Sequence, residues 1–126
     1  MFTVEQGVDP AIEIDAAEDD ATHVLARADG AAAGTLRWRR PAPGVLKIER
    51  VAVLPAHRGA GVGVALMRWA LAAAARIDGV REAALGAQVA SIPFYERLGF
   101  IAEGDVYDDA GIPHRAMRAA LQGDRA

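Results

Sequence analysis

The sequence predicts an α+β fold in which helices flank a mixed, mostly antiparallel sheet. Three segments with the apolar patterning of strands precede the first helical pattern, so hairpins join them and they pair antiparallel. The predicted order of elements is strand, strand, strand, helix, strand, helix, strand, strand. A purely doubly wound parallel sheet would need helices between the first three strands, so this class is excluded.

The first three strands are predicted at residues 22–27, 34–39 and 45–54. Asp29-Gly30 supplies a turn that tolerates positive φ, and the prolines and glycine of residues 41–44 interrupt the chain again. The first twenty residues are weakly patterned and acidic, so no strand is predicted ahead of residue 22.

Apolar residues at spacings of three and four from Val62 to Ile77 predict a long helix, which Asp78-Gly79 ends. Trp38 and Trp69 are assigned to packing. The remaining predicted elements are a strand at residues 80–87, a short helix that Ser91 caps and that runs to Leu98 before Gly99, and a final hairpin of strands at residues 100–107 and 113–121.

Composition and charge limit the classes of function that this chain can have. The 126 residues, 52% hydrophobic and 25% charged, are typical of a single globular domain spanning 1–126. The net charge of -3 argues against a nucleic-acid partner. No stretch is apolar enough to span a membrane, and we expect a cytoplasmic protein. The acidic residues at 13–20 and 105–109 would attract a cationic substrate such as an amine, or form only a solvated acidic surface.

Residues 58–63 read Arg-Gly-Ala-Gly-Val-Gly between a strand and a helix. Alternate glycines let the backbone approach a ligand closely, and a helix start presents free N–H groups and partial positive charge. The segment therefore predicts a phosphate site, with a tight strand-to-helix connection as the alternative. A Walker loop would need lysine and serine or threonine after Gly63, and a Rossmann fingerprint would follow a single initial strand, so both are excluded.

The same segment fits Arg-x-x-Gly-x-Gly and strongly resembles the acetyl-CoA-binding motif of the GNAT N-acetyltransferase superfamily. Residues 93–100, Pro-Phe-Tyr-Glu-Arg-Leu-Gly-Phe, resemble that family's C-terminal helix and following strand, and Gly-Ile-Pro-His at 111–114 with Met117 resembles its ElaA-like subgroup. The resemblance covers essentially the whole chain. Residues 4–8 match a segment that follows the first helix in the subgroup, so we expect a GNAT fold that lacks the first strand and helix.

The resemblance implies acetyl-CoA as co-substrate. N–H groups of the glycine segment would hold the pyrophosphate, and the main chain of residues 51–53 would pair with the pantetheine amides. Arg58 would add a charge-assisted contact or remain a solvated side chain. The implied cofactor-binding residues are Val51, Ala52, Val53, Arg58, Gly59, Ala60, Gly61, Val62, Gly63, Gln88, Ser91 and Phe94.

The resemblance also implies two catalytic side chains. Tyr95 would protonate the departing thiolate of coenzyme A, or would be a core tyrosine with a locally bonded hydroxyl. Glu49 would accept the amine proton through a water, or would be a strand residue paired with arginine. The N–H near Val51 would donate to the oxyanion. Because the chain has no cysteine to carry an acetyl group, transfer is predicted to be direct.

His23 and His114 are predicted to border the acceptor pocket or to be structural. With His57 they form no spacing typical of metal ligands, so no metal is expected. Ser91 is the only serine and is assigned to a helix cap, so a Ser-His-Asp hydrolase is excluded. The sequence thus predicts an acetyl-CoA-dependent N-acetyltransferase acting on a primary amine of a small molecule or peptide. The alternatives are an acyl-CoA-binding module without turnover and an oligomeric assembly protein, with a homodimer as one form.

Overall fold

The computed structural model describes residues 10–17 and 21–121. The strands are β1 (Ala11–Ala17), β2 (Thr22–Ala28), β3 (Ala31–Ala42), β4 (Val45–Val53), β5 (Glu82–Gln88), β6 (Ile101–Asp109) and β7 (Ile112–Ala120), and the helices are α1 (Val62–Ala75) and α2 (Ile92–Glu96). The hydrogen-bonded strand order is β1-β2-β3-β4-β5-β7-β6, and β4 with β5 form a parallel pair. The predicted mixed, mostly antiparallel sheet with two helices is confirmed.

The chain divides into two compact units, Met1–Arg39 with Ile48–Ala70 and Arg40–Lys47 with Leu71–Ala126. The single domain over residues 1–126 stays a prediction. No helix among the described residues is long and apolar enough to cross a membrane.

The first unit is built on the β2–β3 hairpin. Asp29 and Gly30 both have positive φ, 53° and 82°, as a two-residue hairpin turn requires. Apolar residues alternate along β3, so Leu36 and Trp38 are buried, and Leu66 of α1 is buried with them. The rings of Trp38 and Trp69 stack with centroids 6.2 Å apart, which confirms that both tryptophans serve packing.

Gly34 allows α1 to approach the sheet closely. A Cβ at this position would lie 2.9 Å from the carbonyl oxygen of Ala52 and 2.9 Å from Cδ1 of Leu66. Because the Ala52 oxygen belongs to a strand backbone that cannot shift freely, we expect Gly34→Ala to lower the free energy of unfolding by about 1–3 kcal/mol. Urea denaturation measures this change. An unfolding midpoint equal to that of the wild type would contradict the tight packing of α1 on β3.

Strand β1 was not predicted. It pairs antiparallel with β2 and lies at the edge of the sheet, where Ile14 is 54% exposed. Its signal is short: Ile12 and Ile14 alternate with Glu13 and Asp15, so one weak period-two pattern stands within an acidic stretch. The described residues ahead of Thr22 hold this strand and no helix. Residues 4–8, which carry part of the family resemblance, lie outside the described residues.

In the second unit, β4 pairs with β5 through its first three residues, Val45–Lys47 against Glu82–Ala84. β5 and β6 both pair antiparallel with β7. Arg118 of β7 binds Glu82 of β5 at 2.7 Å and Glu103 of β6 at 2.5 Å, so one guanidinium links the three strands. Buried apolar side chains from β4, β5, β7 and the segment before β6 form the core of this unit, namely Leu46, Leu85, Met117 and Phe100.

Three details of the helices differ from the predictions. α2 ends at Glu96 rather than Leu98. α1 ends at Ala75 rather than Ile77, with single turns closing the chain before Gly79 at φ 84°. Ser91 precedes α2, but its side chain makes no capping hydrogen bond, so the predicted cap is wrong. The reason is that Ser91 ends a short 3-10 turn and has helical φ and ψ of -97° and -2°, whereas a capping serine needs extended backbone. Gly99 has φ 100°, as predicted for the residue that ends the helical segment.

Candidate functional site

The glycine segment forms an open loop between β4 and α1. A single 3-10 turn at Pro55–His57 follows the strand, and α1 begins at Val62. Gly59 and Gly61 have φ of 83° and 85°, a region that favours glycine. No described atom lies within 4 Å of the position that a Cβ would take on either glycine. The backbone of the loop is therefore accessible to a ligand.

The start of α1 supplies hydrogen-bond donors beside this loop. Ala65 donates to the carbonyl of Gly61 at 3.0 Å. The N–H groups of Val62, Gly63 and Val64, in the first turn, have no backbone acceptor among the described residues. Unpaired N–H groups and the positive end of the helix dipole favour an anion. The donors present therefore fit the pyrophosphate that the sequence resemblance implies.

Arg58 holds the loop to the end of β4. Its Nε donates to the carbonyl of Val53 at 3.1 Å, while the side chain stays exposed. No described residue accepts a hydrogen bond from its terminal nitrogens, so their donors are available to another partner.

Glu49, predicted as a general base, is bound by two arginines of β3. Arg37 donates to one carboxylate oxygen through Nε at 3.0 Å and Nη2 at 2.6 Å. Arg39 donates to the other oxygen through Nε at 3.1 Å and Nη2 at 2.9 Å. Burial acts to raise the pKa of Glu49, but the hydrogen bonds and charges of Arg39 and Arg37 outweigh it and lower the pKa below its usual value. Glu49 is therefore ionised at neutral pH.

Arg50, the next residue, has a strained backbone. Its φ of 55° is unusual for a residue other than glycine and costs about 1–3 kcal/mol. Leu46 and Ile48 are buried along β4, so regular alternation would also bury residue 50. Arg50 is exposed instead. The left-handed conformation at Arg50 thus coincides with a break in the alternation, and the Arg50 side chain lies on the exposed side of the strand rather than in the core.

A cavity of about 460 Å³ lies in the first unit. Its polar lining comes from all four strands of the unit, as Asp15, His23, Thr35, Arg37 and Arg50. His23, a predicted acceptor-site residue, faces Arg37 across the β2–β3 register. The structure therefore places this histidine at a cavity large enough for a small ligand.

Tyr95 belongs to the second unit, on α2. Its ring contacts Phe94 and Phe100 edge-on, with centroids 5.0 and 6.0 Å away. Burial raises the pKa of the Tyr95 hydroxyl above its usual value, so the phenol stays protonated throughout the neutral range. No described residue hydrogen-bonds this hydroxyl. The described residues therefore do not support the alternative of a core tyrosine whose hydroxyl is hydrogen-bonded locally.

The other predicted residues of the second unit lie at the ends of β5 and β7. Gln88 is the register partner of His114, whose ring stacks on Tyr107 at 5.8 Å. Nδ1 of His114 lies 2.8 Å from the carbonyl of Ile112, and Nε2 lies 4.0 Å from Asp109. Phe94 and Ser91 are half-buried at the start of α2. Within residues 10–17 and 21–121, no group of three or more metal-binding side chains is present.

Three functional candidates were missed by the sequence analysis: Arg37, Arg39 and Arg50. The first two become partners of Glu49 only through the pairing of β3 with β4, which local patterns do not reveal. Arg50 had a detectable signal, because a charged residue stands where the alternation of Leu46 and Ile48 calls for an apolar one.

Comparison with known proteins supplies independent information. The family described as acetyltransferase (GNAT) domain matches residues 2–121. N-acetyltransferase YjcF of Bacillus subtilis (strain 168) is 38% identical over 118 residues, which cover 93% of this chain and 83% of that protein. An acyl-CoA N-acyltransferase from Pseudomonas aeruginosa is 37% identical with a TM-score of 0.72, over 82% of this chain and 70% of that one. Escherichia coli ElaA is 30% identical with a TM-score of 0.72, over 81% of this chain and 70% of that one.

Proposed function

We propose that this chain, which belongs to the GNAT acetyltransferase family and is an acetyl-CoA-dependent N-acetyltransferase, transfers the acetyl group directly to a primary amine. The acceptor amine belongs to a small molecule or a peptide. The observation that carries the proposal is the open loop of residues 58–61, with two left-handed glycines followed by N–H groups of α1 that have no backbone acceptor among the described residues. Location in the cytoplasm stays a prediction of the sequence.

The loop and the strand before it hold the co-substrate. Acetyl-CoA supplies an activated acetyl thioester. The N–H groups of Val62 and Gly63 would bind its pyrophosphate, Arg58 would add positive charge, and the main chain of Val51–Val53 would pair with the pantetheine amides. Side-chain identity matters little in this arrangement except at the glycines. Gln88, Ser91 and Phe94 are the further cofactor contacts that the resemblance to the family implies.

The reaction joins the amine nitrogen to the acetyl carbon and breaks the bond from that carbon to sulfur, whose electron pair leaves with the sulfur. The nitrogen loses one proton and the sulfur gains one. Tyr95 would supply the proton to sulfur, which is supported by its protonated hydroxyl with no hydrogen-bond partner among the described residues. Glu49 would accept the amine proton through a water. Because two arginines lower its pKa, Glu49 is a weaker base than an unpaired carboxylate and would hold the proton only until water takes it.

Calorimetric titration of the purified chain with acetyl-CoA, followed by measurement of free thiol with a panel of primary amines, tests the proposal. We expect binding, and thiol release that depends on the amine. Binding without release for every amine would contradict the transfer and favour the acyl-CoA-binding module. No binding at all would show that residues 58–63 form only a connection between strand and helix.

A further inference from the structure

The guanidinium of Arg50, at the wall of the first unit's cavity, has no partner among the described residues. It makes no hydrogen bond or ion pair with any described residue. Its neighbour Arg37 is already engaged, since Nε and Nη2 both donate to Glu49. The side chain of Arg50 therefore has its full set of donors available to a ligand.

The cavity lies on the polar face of the β2–β3 hairpin. Gly34, Leu36 and Trp38 of β3 point toward α1, and the alternate residues Thr35 and Arg37 point to the other face. The register pairs Leu25 with Thr35 and His23 with Arg37, and side chains directly opposite each other in antiparallel strands share a face. The left-handed conformation of Arg50 turns this residue to the cavity on that face.

The charges around the cavity are unequally distributed. On β3 and β4, Arg37 and Arg39 both bind the carboxylate of Glu49, and Arg50 places a further guanidinium at the wall of the cavity. Asp15 supplies a negative charge from β1, which lies three strand spacings, or about 14 Å, from β4. The charged side chains that line the end of the cavity nearest β4 are therefore arginines, Arg37 and Arg50.

We propose that this cavity binds the carboxylate of the acceptor, so that the acceptor is an amino acid or a closely similar amine that also carries a carboxylate. The planar guanidinium of Arg50 presents two parallel N–H donors that match the two oxygens of a carboxylate. A volume of about 460 Å³ accommodates a ligand of this size. The inference rests on the proposed function and names its substrate class.

The position of Arg50 in the chain connects the cavity with the reaction. Arg50 directly precedes Val51, where the proposed main-chain contacts with the co-substrate begin. A carboxylate bound there would hold its own amine beside the acetyl carbon. The amine nitrogen then forms the new bond, the carbon–sulfur bond breaks, and the carboxylate takes no part in the exchange of protons or electrons.

Calorimetric titration of the chain saturated with coenzyme A, which carries no acetyl group, tests carboxylate binding without turnover. The probes are alanine, phenylalanine, glutamate and lysine, each compared with its carboxamide. We expect at least one of the acids to bind about 10-fold to 100-fold more tightly than its carboxamide. With acetyl-CoA, kcat/KM should favour that acid by a similar ratio. This preference should hold even though the amine of the carboxamide is less basic, so that a larger fraction of it is neutral and reactive.

Two variants and a control assign the effect to Arg50. Arg50→Gly keeps the left-handed backbone without the guanidinium. It should bring the ratio of kcat/KM for the acid to kcat/KM for the carboxamide near one, through a change in KM, while the Kd for acetyl-CoA stays unchanged. Arg50→Lys keeps the charge without the paired donors and should retain only part of the preference. Arg68→Gln removes an exposed arginine of α1 and should leave the ratio unchanged.

The outcomes separate this inference from the proposed function. Equal binding of acids and carboxamides, no binding of any acid, or a preference that persists in Arg50→Gly would overturn the carboxylate site. If carboxamides or simple amines are still acetylated in these cases, the proposed function is supported and only the carboxylate site is rejected. Carboxylate binding that depends on Arg50, without thiol release from acetyl-CoA for any amine, would support the site and contradict the transfer.

Discussion

Gly61→Asp is expected to raise the Kd for acetyl-CoA at least about 100-fold. Gly61 has φ 85° and precedes the helix whose N–H groups are proposed to bind the pyrophosphate. A carboxylate placed there repels the phosphates. Two like charges that face each other at an interface cost several kcal/mol, and each 1.4 kcal/mol corresponds to about a tenfold change in affinity. Calorimetric titration with acetyl-CoA measures the effect.

Two controls separate charge from backbone strain. Gly61→Asn has nearly the same shape without the charge and should weaken binding much less, since asparagine tolerates positive φ. Gly30→Asp introduces the same residue at φ 82° in the β2–β3 turn, where no described atom lies within 4 Å of the new Cβ, and should bind acetyl-CoA normally. Wild-type affinity in Gly61→Asp would refute the assignment of the phosphate site.

Tyr95→Phe is expected to lower kcat by about 100-fold to 10,000-fold, the range typical of a lost general acid, with little change in the Kd for acetyl-CoA. The variant removes one hydroxyl that no described residue hydrogen-bonds, so the ring contacts with Phe94 and Phe100 remain. Because burial raises the pKa of this phenol, Tyr95 stays protonated across the neutral range and should cause no loss of wild-type kcat there as pH rises.

The matched control is Tyr107→Phe, because Tyr107 is the other of the two tyrosines. Tyr107 is 43% exposed, and removing its hydroxyl should leave kcat close to that of the wild type. Steady-state thiol release, with the unfolding midpoint of each variant as a check on folding, measures both. Equal rates for Tyr95→Phe and the wild type would make Tyr95 a packing residue.

Most of the fold was predictable because its signals are local. Strands β2 to β7 follow from apolar patterning and turn residues, and the glycines of residues 58–63 mark the connection to α1 by their spacing. Strand β1 has only two alternating isoleucines and escaped prediction. Ser91 was assigned as a cap from its residue type, but capping depends on the backbone angles of the preceding turn, which the residue type does not determine.

The charged part of the candidate site could be predicted less well. The pairing of Glu49 with Arg37 and Arg39 joins residues ten and twelve positions apart, and it depends on the β3–β4 register. The conformation of Arg50 depends on the surrounding sheet. A sequence pattern can show that Arg50 is misplaced in a regular strand, but it cannot show that the backbone turns left-handed to accommodate it.

The backbone of Arg50 also sets two kinds of evolutionary selection against each other. Glycine adopts a φ of 55° without the steric penalty that arginine pays, so a library screened for heat resistance should enrich glycine at position 50. A library screened for turnover of the acceptor should keep arginine there. Variants selected only for heat resistance should therefore fold well and bind acetyl-CoA, but should no longer prefer acceptors that carry a carboxylate.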